Sequence, residues 1–411
     1  MNCASVVAPS GASSSRIGRV TPTVGFFLLA SITVSFLAGS SAPTPLYPLY
    51  QAQWGLSPTT ITFVFAIYAL ALLCALLVTG RLSDHLGRRP ILIVATVAQA
   101  ATMLVFATAN GLAALVFARI VQGLSTGAAV AAVGAGMLDL DRARGAVANA
   151  VAPPLGTAAG AISAGLLVHY LPAPTQLVYL LLGAIYILQG IGVGFMTETT
   201  PPRAGALASL KPQFNVPAAA REALMLAVPA LVASWALAGF YASLGPALIG
   251  HIFELNASLI GGLALFVLAG SGAVSIVVLQ RQDPHRMMFF GAVALLAGVA
   301  VATASLSYHS TSAFFVGTAL SGMGFGAGFQ GAVRTVVAFA APRERAGVLS
   351  VIFVVSYLAM GIPAVIAGYF VAQHGDILGT ARTYAAVVMI LAAVAALGTR
   401  IRPSAASQAL R

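Results

Sequence analysis

The lysine and arginine residues of this chain follow a pattern that almost fixes its topology. Most of the 20 fall at the N-terminus, in every second connection between long apolar runs, or at the C-terminus. In chain order these are Arg16, Arg19, Arg81, Arg88, Arg89, Arg142, Arg144, Arg203, Lys211, Arg221, Arg281, Arg286, Arg343, Arg345, Arg400, Arg402 and Arg411. Cytoplasmic loops of multi-pass membrane proteins carry such an excess of positive charge. We therefore predict an inner (plasma) membrane protein with both termini in the cytoplasm.

The composition supports a membrane protein. Hydrophobic residues make up 59% of the chain and charged residues 7%, whereas about a quarter of a soluble domain is charged. Helices are the state that satisfies the backbone of long apolar runs in a bilayer, and about 20 residues are needed to cross it. We predict twelve transmembrane helices, at residues 23–42, 60–79, 91–109, 111–137, 146–168, 176–196, 223–248, 257–280, 287–306, 312–341, 347–372 and 383–399.

The net charge of +11 would suggest a nucleic-acid partner in a soluble protein. Here the cations lie in short loops beside anionic lipid, so we expect the lipid bilayer, and no nucleic acid, as a partner. Cys3 and Cys74 cannot form a disulfide framework. The sequence shows neither a metal-binding motif nor a nucleotide-binding loop. We therefore expect no cofactor, no metal and no enzymatic activity, and we expect a monomer.

The longest polar connection separates six predicted helices from six. We predict a cytoplasmic tail, a first bundle, a cytoplasmic linker, a second bundle and another cytoplasmic tail, at residues 1–22, 23–197, 198–222, 223–400 and 401–411. Gln122-Gly123 in the fourth run matches Gln330-Gly331 in the tenth. The expected fold is an all-α membrane protein with twelve transmembrane helices in two six-helix pseudo-symmetric bundles. Parallel repeats of this kind are typical of transporters with a substrate site near the membrane midplane.

Small residues and prolines mark places where the predicted helices pack or bend. Gly156 and Gly160 form a small-xxx-small face, which allows two helices to approach closely. Proline removes a backbone donor and can kink a helix. The residues that we expect to serve packing or gating are Pro45, Pro48, Gly156, Gly160, Gly165, Gly361, Pro363 and Gly368.

The connection after the second run carries the most specific motif. It reads Gly80-Arg81-Leu82-Ser83-Asp84-His85-Leu86-Gly87-Arg88-Arg89-Pro90. Asp84 and Arg88 can pair across one helical turn, and glycine permits tight reversals. The segment resembles the signature loop of the major facilitator superfamily, which joins the two halves at the cytoplasmic face. The resemblance implies a twelve-helix transporter with a conformational latch formed by Gly80, Asp84, Gly87, Arg88 and Arg89.

Arg119 and Arg334 lie within apolar runs, where a charge is costly and usually functional. Arg119 lies about 12 Å inside the membrane, given the helical rise of 1.5 Å per residue. The segment Arg119-Ile120-Val121-Gln122-Gly123 is similar to the fourth-helix motif of the same superfamily, whose arginine takes part in substrate and proton coupling. The resemblance implies such a role for Arg119, Gln122 and Gly123.

Two further segments resemble the twelve-helix drug:proton antiporter group of that superfamily. Gly39 followed by Pro45 and Pro48 resembles the proline motif at the end of its first helix. The fifth-helix motif of that group is kept only in part, because Ala161 occupies the position of its proline.

The carboxylates all lie outside the middle of the predicted helices. They are Asp84, Asp139, Asp141, Glu198, Glu222, Glu254, Asp283, Glu344 and Asp376. Proton-coupled transporters usually place a titratable acid within the membrane. If protons are a partner, we expect coupling to run through border acids such as Glu254, Asp84 or Asp139, through a protonatable substrate, or through water near Arg119.

We expect a small-molecule organic substrate moved by alternating access, with efflux of an amphiphilic compound as the preferred function. The alternative is uptake or facilitated diffusion of a small polar or anionic metabolite. An apolar cavity lined by aromatic residues would favour export, and several convergent polar groups would favour a metabolite. Besides the fourth-helix motif, the residues expected at the cavity are Gln189, Trp235, Tyr241, Phe325 and Gln330.

Overall fold

A computed structural model describes residues 20–253 and 257–401. Its regular elements are helices. They are α1 (Pro22–Ser41), a 3₁₀ turn (Thr44–Leu46), α2 (Tyr47–Trp54), α3 (Pro58–Thr79), α4 (Ser83–Leu86), α5 (Arg88–Ala107), α6 (Leu112–Leu140), α7 (Arg142–Tyr170), α8 (Pro174–Phe195), α9 (Ala206–Ser209), α10 (Ala218–Ser243), α11 (Gly245–Phe253), α12 (Ala257–Leu279), α13 (Pro284–Ser307), α14 (Thr311–Val337), α15 (Arg345–His374) and α16 (Ile377–Ile401).

Twelve of the described helical segments are long and apolar enough to cross a membrane. The segment from α1 through α2 counts as one, and α4, α9 and α11 are too short to cross. The prediction of an all-α fold with twelve spanning helices is therefore confirmed. Predictions that rest on Arg16, Arg19, Glu254, Arg402 or Arg411 lie outside the described residues, as do most of both terminal tails.

The first and seventh spans differ from their predicted bounds. Residues 43–58 were expected to be a loop, but the 3₁₀ turn and α2 continue the first span to Trp54, where Gly55 ends it at φ 63°. Proline suits the first turn of a helix, so the prolines of this segment start helices there. α10 begins at Ala218, directly after Pro217 and within the predicted linker. The seventh run is also split, because α10 ends at Ser243 and α11 follows.

The short helices lie at the two ends of the bundle. We call the end that carries α4, α9 and the linker 196–217 the linker face, and the end that carries α2 and α11 the opposite face. The first half comprises α1 to α8 and the second half comprises α10 to α16. Two helix pairs, α3 with α15 and α7 with α12, form the seam between the halves. In both pairs the second span of one half packs against the fifth span of the other, as a pseudo-twofold arrangement requires.

Each half has its own hydrophobic core, and the two cores meet at the seam. Phe36, Tyr179 and Tyr186 are buried in the core of the first half, which Met360 of α15 joins. Conversely, Ala161 of α7 belongs to the core of the second half. The seam is therefore a packed interface between two separately built bundles.

Glycines bring the seam helices into close contact. A methyl group on Gly262 of α12 would lie 2.6 Å from the carbonyl oxygen of Ala161 and 3.3 Å from the ring of Pro45. One on Gly165 would lie 3.2 Å from the Ser258 carbonyl oxygen. On the other side of the seam, Gly361 faces Ala66 and Gly368 faces Thr62. Gly165, Gly361 and Gly368 thus lie at helix contacts of the seam.

Other residues predicted to serve packing lie elsewhere. Gly156 and Gly160 face α1 inside the first half, and Pro48 lies in the first turn of α2. Pro363 lines a second cavity, between α10, α15 and α16. The structure therefore shows which of these residues contact the other half and which contact their own half. The sequence did not distinguish the two groups.

Gly160→Ala is expected to destabilise the first half by about 1–3 kcal/mol, the usual cost of overpacking a close contact. The added methyl group would overlap the backbone of Ala38 and the hydroxyl of Ser41. Thermal unfolding of the purified protein in detergent measures the effect. Gly194→Ala is the matched control, because a methyl group there meets nothing within 4 Å. Equal melting temperatures for the two variants would contradict the close packing.

Candidate functional site

A cavity of about 200 Å³ lies between the two halves. Both bundles contribute aromatic walls, and the polar groups at the cavity are neutral. The aromatic and polar residues that line it are Ser40, Ser41, Thr44, Phe65, Tyr68, Asn149, Thr157, Trp235, Phe325, Phe329, Gln330 and Tyr357. Among the described residues, no charged side chain lines this cavity.

Two hydrogen bonds join the halves at one end of the cavity. The hydroxyl of Thr44 donates to the Ala242 carbonyl oxygen at 2.9 Å, and the hydroxyl of Thr59 donates to the Gly368 carbonyl oxygen at 3.2 Å. Both bonds join the first half to the second near the opposite face. At the other end, Asn149 and Gln330 line the part of the cavity nearer the linker face.

Trp235 is the centre of the aromatic wall. Its ring centroid lies 4.9 Å from that of Tyr357, 5.3 Å from that of Phe329 and 6.2 Å from that of Phe325. Tilted and edge-to-face arrangements at these distances are favourable for aromatic pairs. The buried indole N–H of Trp235 has no described hydrogen-bond partner. The wall therefore offers a continuous aromatic surface.

Arg119 is fully buried on α6, beside the cavity. Its guanidinium donates to the carbonyl oxygen of Ser40 at 3.0 Å, to the amide oxygen of Gln122 at 2.7 Å, and to the hydroxyl of Tyr47. Gln122 in turn donates to the Gly39 carbonyl oxygen at 2.9 Å. These acceptors belong to the end of α1, the start of α2 and α6 itself, so one side chain ties the three segments together.

A thin wall separates Arg119 from the cavity. Ser40 and Tyr68 line the cavity and also contact the guanidinium, whose carbon lies 5.2 Å from the ring centroid of Tyr68. The close approach of α6 to α3 requires Gly123, since a methyl group there would lie 2.6 Å from the Tyr68 carbonyl oxygen. Arg119, Gln122 and Gly123 therefore shape the cavity wall from behind without lining the cavity in this conformation.

Two residues predicted to line the cavity lie elsewhere. The amide of Gln189 is bonded to Ser35 at 2.8 Å and to Ser31 at 3.2 Å, between α8 and α1 of the first half. The hydroxyl of Tyr241 pairs with that of Thr318 at 2.9 Å inside the second half. Each polar group finds a partner on a neighbouring helix of its own bundle, so neither is directed at the seam.

Of the other residues expected at the cavity, Trp235, Phe325 and Gln330 line it. Sequence reasoning missed Tyr68 and Tyr357, which sit on the seam helices α3 and α15. A tyrosine in the middle of a spanning helix needs a polar partner or a cavity for its hydroxyl. The mid-helix positions of Tyr68 and Tyr357 in the sequence could therefore have indicated both residues.

The predicted latch loop forms a charged cluster on the linker face. The Arg88 side chain is nearly buried and pairs with Asp84 at 2.5 Å and with Asp139 at 3.2 Å. The carboxylate of Glu198, which the sequence did not single out, accepts from the backbone N–H groups of Arg88 and Arg89 at 2.8 and 3.0 Å. An acidic group at this position stabilises the N-terminus of α5.

The two glycines of the loop differ. Gly87 adopts φ 93°, and a methyl group there would lie 2.6 Å from a carboxylate oxygen of Glu198. Gly80 was expected to permit a tight reversal, but it has ordinary helical angles, φ −55° and ψ −29°. Gly87 is thus the glycine that the loop requires for its backbone conformation.

The hydrogen bonds described for this loop stay within the first half or reach the linker. Arg203 donates its backbone N–H to the His85 carbonyl oxygen at 2.8 Å, and the His85 ring lies 3.0 Å from the Ala204 carbonyl oxygen. The loop is therefore bonded to the linker, and the bridge to the second half stays a prediction. Arg334 supports the loop between α12 and α13, donating to the Gln280 carbonyl oxygen at 3.0 Å.

Asp84→Asn is expected to impair transport while folding and insertion persist. Arg88 keeps Asp139 as a partner, so we expect a shift in the conformational balance on the order of 1–3 kcal/mol. Accessibility labelling of engineered cysteines on the two faces measures that balance. Asp141→Asn is the matched control, because asparagine also caps a helix and the Asp141–Arg144 pair is exposed on the same face. An unchanged balance with normal flux in Asp84→Asn would argue against a latch.

Within the described residues, no group of three or more histidine, cysteine, aspartate or glutamate side chains could hold a metal ion. The described carboxylates lie at the helix ends or in the connections between helices. The site as described thus offers aromatic surface, neutral hydrogen-bonding groups and one cation behind the wall.

Comparisons with known proteins agree with this architecture. The family profile described as Major Facilitator Superfamily matches residues 29–303. No curated protein sequence matches this chain.

Solved structures share the fold at low identity. The human organic anion transporter MFSD10 (TETRAN) is 19% identical with a TM-score of 0.64, over 92% of this chain and 100% of that one. A bacterial homolog of the human lysosomal transporter Spinster, inward-facing and unoccupied, is 13% identical with a TM-score of 0.69, over 92% and 97%. The nucleoside transporter NupG is 12% identical with a TM-score of 0.66, over 93% and 98%.

Proposed function

The chain belongs to the major facilitator superfamily and is a multi-pass membrane transporter, and we propose that it exports a small amphiphilic organic solute by alternating access. The observation that carries this proposal is the cavity between the halves, whose walls are aromatic and whose polar groups are neutral. Such walls bind apolar ring systems by burying their surface, and a few polar groups orient them.

The distribution of cations supports an orientation. Arg81, Arg88 and Arg89 lie at the linker face, as do most other cations of the described connections. We infer that the linker face is cytoplasmic and that the protein resides in the inner membrane. With this orientation, the hydrogen bonds Thr44–Ala242 and Thr59–Gly368 join the halves near the periplasmic side, and alternating access requires them to break.

Alternating access would proceed by rocking about the seam. The glycine contacts of α3 with α15 and of α7 with α12 allow helix backbones to slide or tilt against each other. Opening the opposite face would break the Thr44–Ala242 and Thr59–Gly368 bonds. One chain supplies both walls of the cavity, so we propose that a monomer is the transporting unit.

Uptake or facilitated diffusion of a small polar or anionic metabolite is the second candidate. Arg119 favours it, because this buried cation has no carboxylate among its described partners. Among the structural neighbours are transporters named for organic anions and for nucleosides.

A thermal-shift screen of aromatic and aliphatic solutes on the purified protein, followed by flux of the hits in proteoliposomes, tests the proposed function. We expect aromatic amphiphiles to stabilise the protein and to show saturable flux. Trp235→Ala should weaken both effects. Saturable flux of aliphatic polar solutes alone, unchanged in Trp235→Ala, would favour the second candidate.

We expect flux to depend only weakly on an imposed pH gradient, because no described carboxylate lines the cavity. Membership of the drug:proton antiporter group would then require protons to move through border acids, water near Arg119 or the solute. The measurement is flux with and without a gradient for wild type, Glu254→Gln, Asp84→Asn and Asp139→Asn. Stoichiometric proton exchange that survives each substitution, with a solute that carries no proton, would refute this expectation.

A further inference from the structure

The charges around the cavity are unbalanced. Arg119 is fully buried, and its described acceptors are the neutral groups of Ser40, Gln122 and Tyr47. The described carboxylates lie outside the middle of the spans and away from the cavity lining. A buried cation without a counterion is costly in a membrane. The cavity, which is lined by the Arg119 contacts Ser40 and Tyr68, is a place where a mobile anion could balance it.

Ser40 and Tyr68 separate Arg119 from the cavity, so the electrostatic field of its charge reaches the cavity. The Arg119 guanidinium carbon lies 5.2 Å from the ring centroid of Tyr68, and one guanidinium nitrogen lies 3.0 Å from the carbonyl oxygen of Ser40. Both residues line the cavity. In a medium of low dielectric constant, a charge behind one layer of protein atoms attracts an anion and repels a cation.

The other end of a ligand would meet the aromatic cluster. Trp235, Phe325, Phe329 and Tyr357 present ring faces and edges to the same cavity. The ring of Trp235 contacts those of Phe325, Phe329 and Tyr357, so the four form one continuous aromatic surface. Aromatic surface and a positive field therefore converge on one space.

Resting on the proposed function, we propose that the solute is an aromatic acid in its carboxylate form. Its ring packs against Trp235, and its carboxylate faces the wall of Ser40 and Tyr68 in front of Arg119. The same features disfavour aromatic amines, because no described carboxylate is present at the cavity to receive an ammonium group.

Three probes of nearly equal shape test the charge preference: 2-naphthoate, 2-naphthamide and 2-(aminomethyl)naphthalene. Isothermal titration calorimetry on the full chain in lipid nanodiscs at pH 7 gives their affinities. We expect the acid to bind at least about tenfold more tightly than the amide, and the amine to bind most weakly, because only the acid gains from the charge of Arg119. Equal or reversed affinities in the wild-type protein would overturn the proposal without any substitution.

Substitutions separate the charge of Arg119 from its hydrogen bonds. Arg119→Gln should bring acid and amide to similar affinities, whereas Arg119→Lys should keep their order because the positive charge remains. Arg334→Gln is the matched control, since this cation bonds carbonyls at the linker face, and it should leave the order unchanged. A persistent preference for the acid in folded Arg119→Gln would overturn the assignment.

Flux distinguishes failure of this inference from failure of the proposed function. Saturable flux of 2-naphthamide, but not of 2-naphthoate, would overturn the acid preference and leave export of an amphiphile standing. Absence of flux for these probes and for every hit of the thermal-shift screen would overturn the proposed function itself.

Discussion

Arg119→Ala is expected to abolish transport, and Arg119→Lys to lower it at least about a hundredfold. The guanidinium bonds Ser40, Tyr47 and Gln122 at once, and its planar fork cannot be reproduced by a single ammonium group. A hydrogen bond to a charged group contributes about 1.5–3 kcal/mol, so losing two of these bonds costs about 3–6 kcal/mol. The segments that they join include the wall of the cavity, so its shape should change.

Flux of a solute in proteoliposomes and thermal unfolding of the same preparations measure the two effects of this substitution. Arg334→Lys serves as the matched control, because Arg334 sits at the end of α14 and supports a connection on the linker face. We expect near-normal flux in the control. Wild-type flux in Arg119→Lys would show that a simple positive charge is sufficient there.

The spanning helices could be predicted from the sequence because a bilayer leaves a long apolar run few alternatives. The backbone must bond within its own segment, so hydropathy and the positions of the cations locate the helices. The repeat between Gln122-Gly123 and Gln330-Gly331 also indicated two related halves. These pairs lie on α6 and α14, which are the fourth spans of the two halves. Local spacing likewise gave the Asp84–Arg88 pair, since four residues make one helical turn.

Which side of each spanning helix faces the lipid, the core or the cavity could not be predicted from the sequence. A spanning helix is apolar on its lipid side and on its packed side, so no hydrophobic stripe marks the core. Gln189 and Tyr241 were therefore assigned to the cavity although each bonds a neighbour within its own bundle. Glu198 was missed because it caps α5 from a position distant in sequence. The prolines after α1 indicated a loop, although the helical segment continues to Trp54.

Locking the opposite face closed is expected to abolish transport completely. Thr44 and Ala242 lie on different halves, and the Thr44 hydroxyl reaches the Ala242 carbonyl oxygen at 2.9 Å. A disulfide between cysteines introduced at these two positions tolerates only a narrow range of distances between the residues, so its formation is verified before flux is measured. Such a bond would prevent the halves from separating at that face, so a solute could enter the cavity but could not leave on the other side.

The decisive measurement is flux of a solute in proteoliposomes by Thr44→Cys/Ala242→Cys, oxidised and then reduced, with Cys3 and Cys74 replaced by alanine. The single variants Thr44→Cys and Ala242→Cys, treated identically, control for oxidation itself. Alternating access through the cavity between the halves predicts no flux when the disulfide is formed, full recovery after reduction, and solute binding in both states. Wild-type flux through fully cross-linked protein would contradict this mechanism.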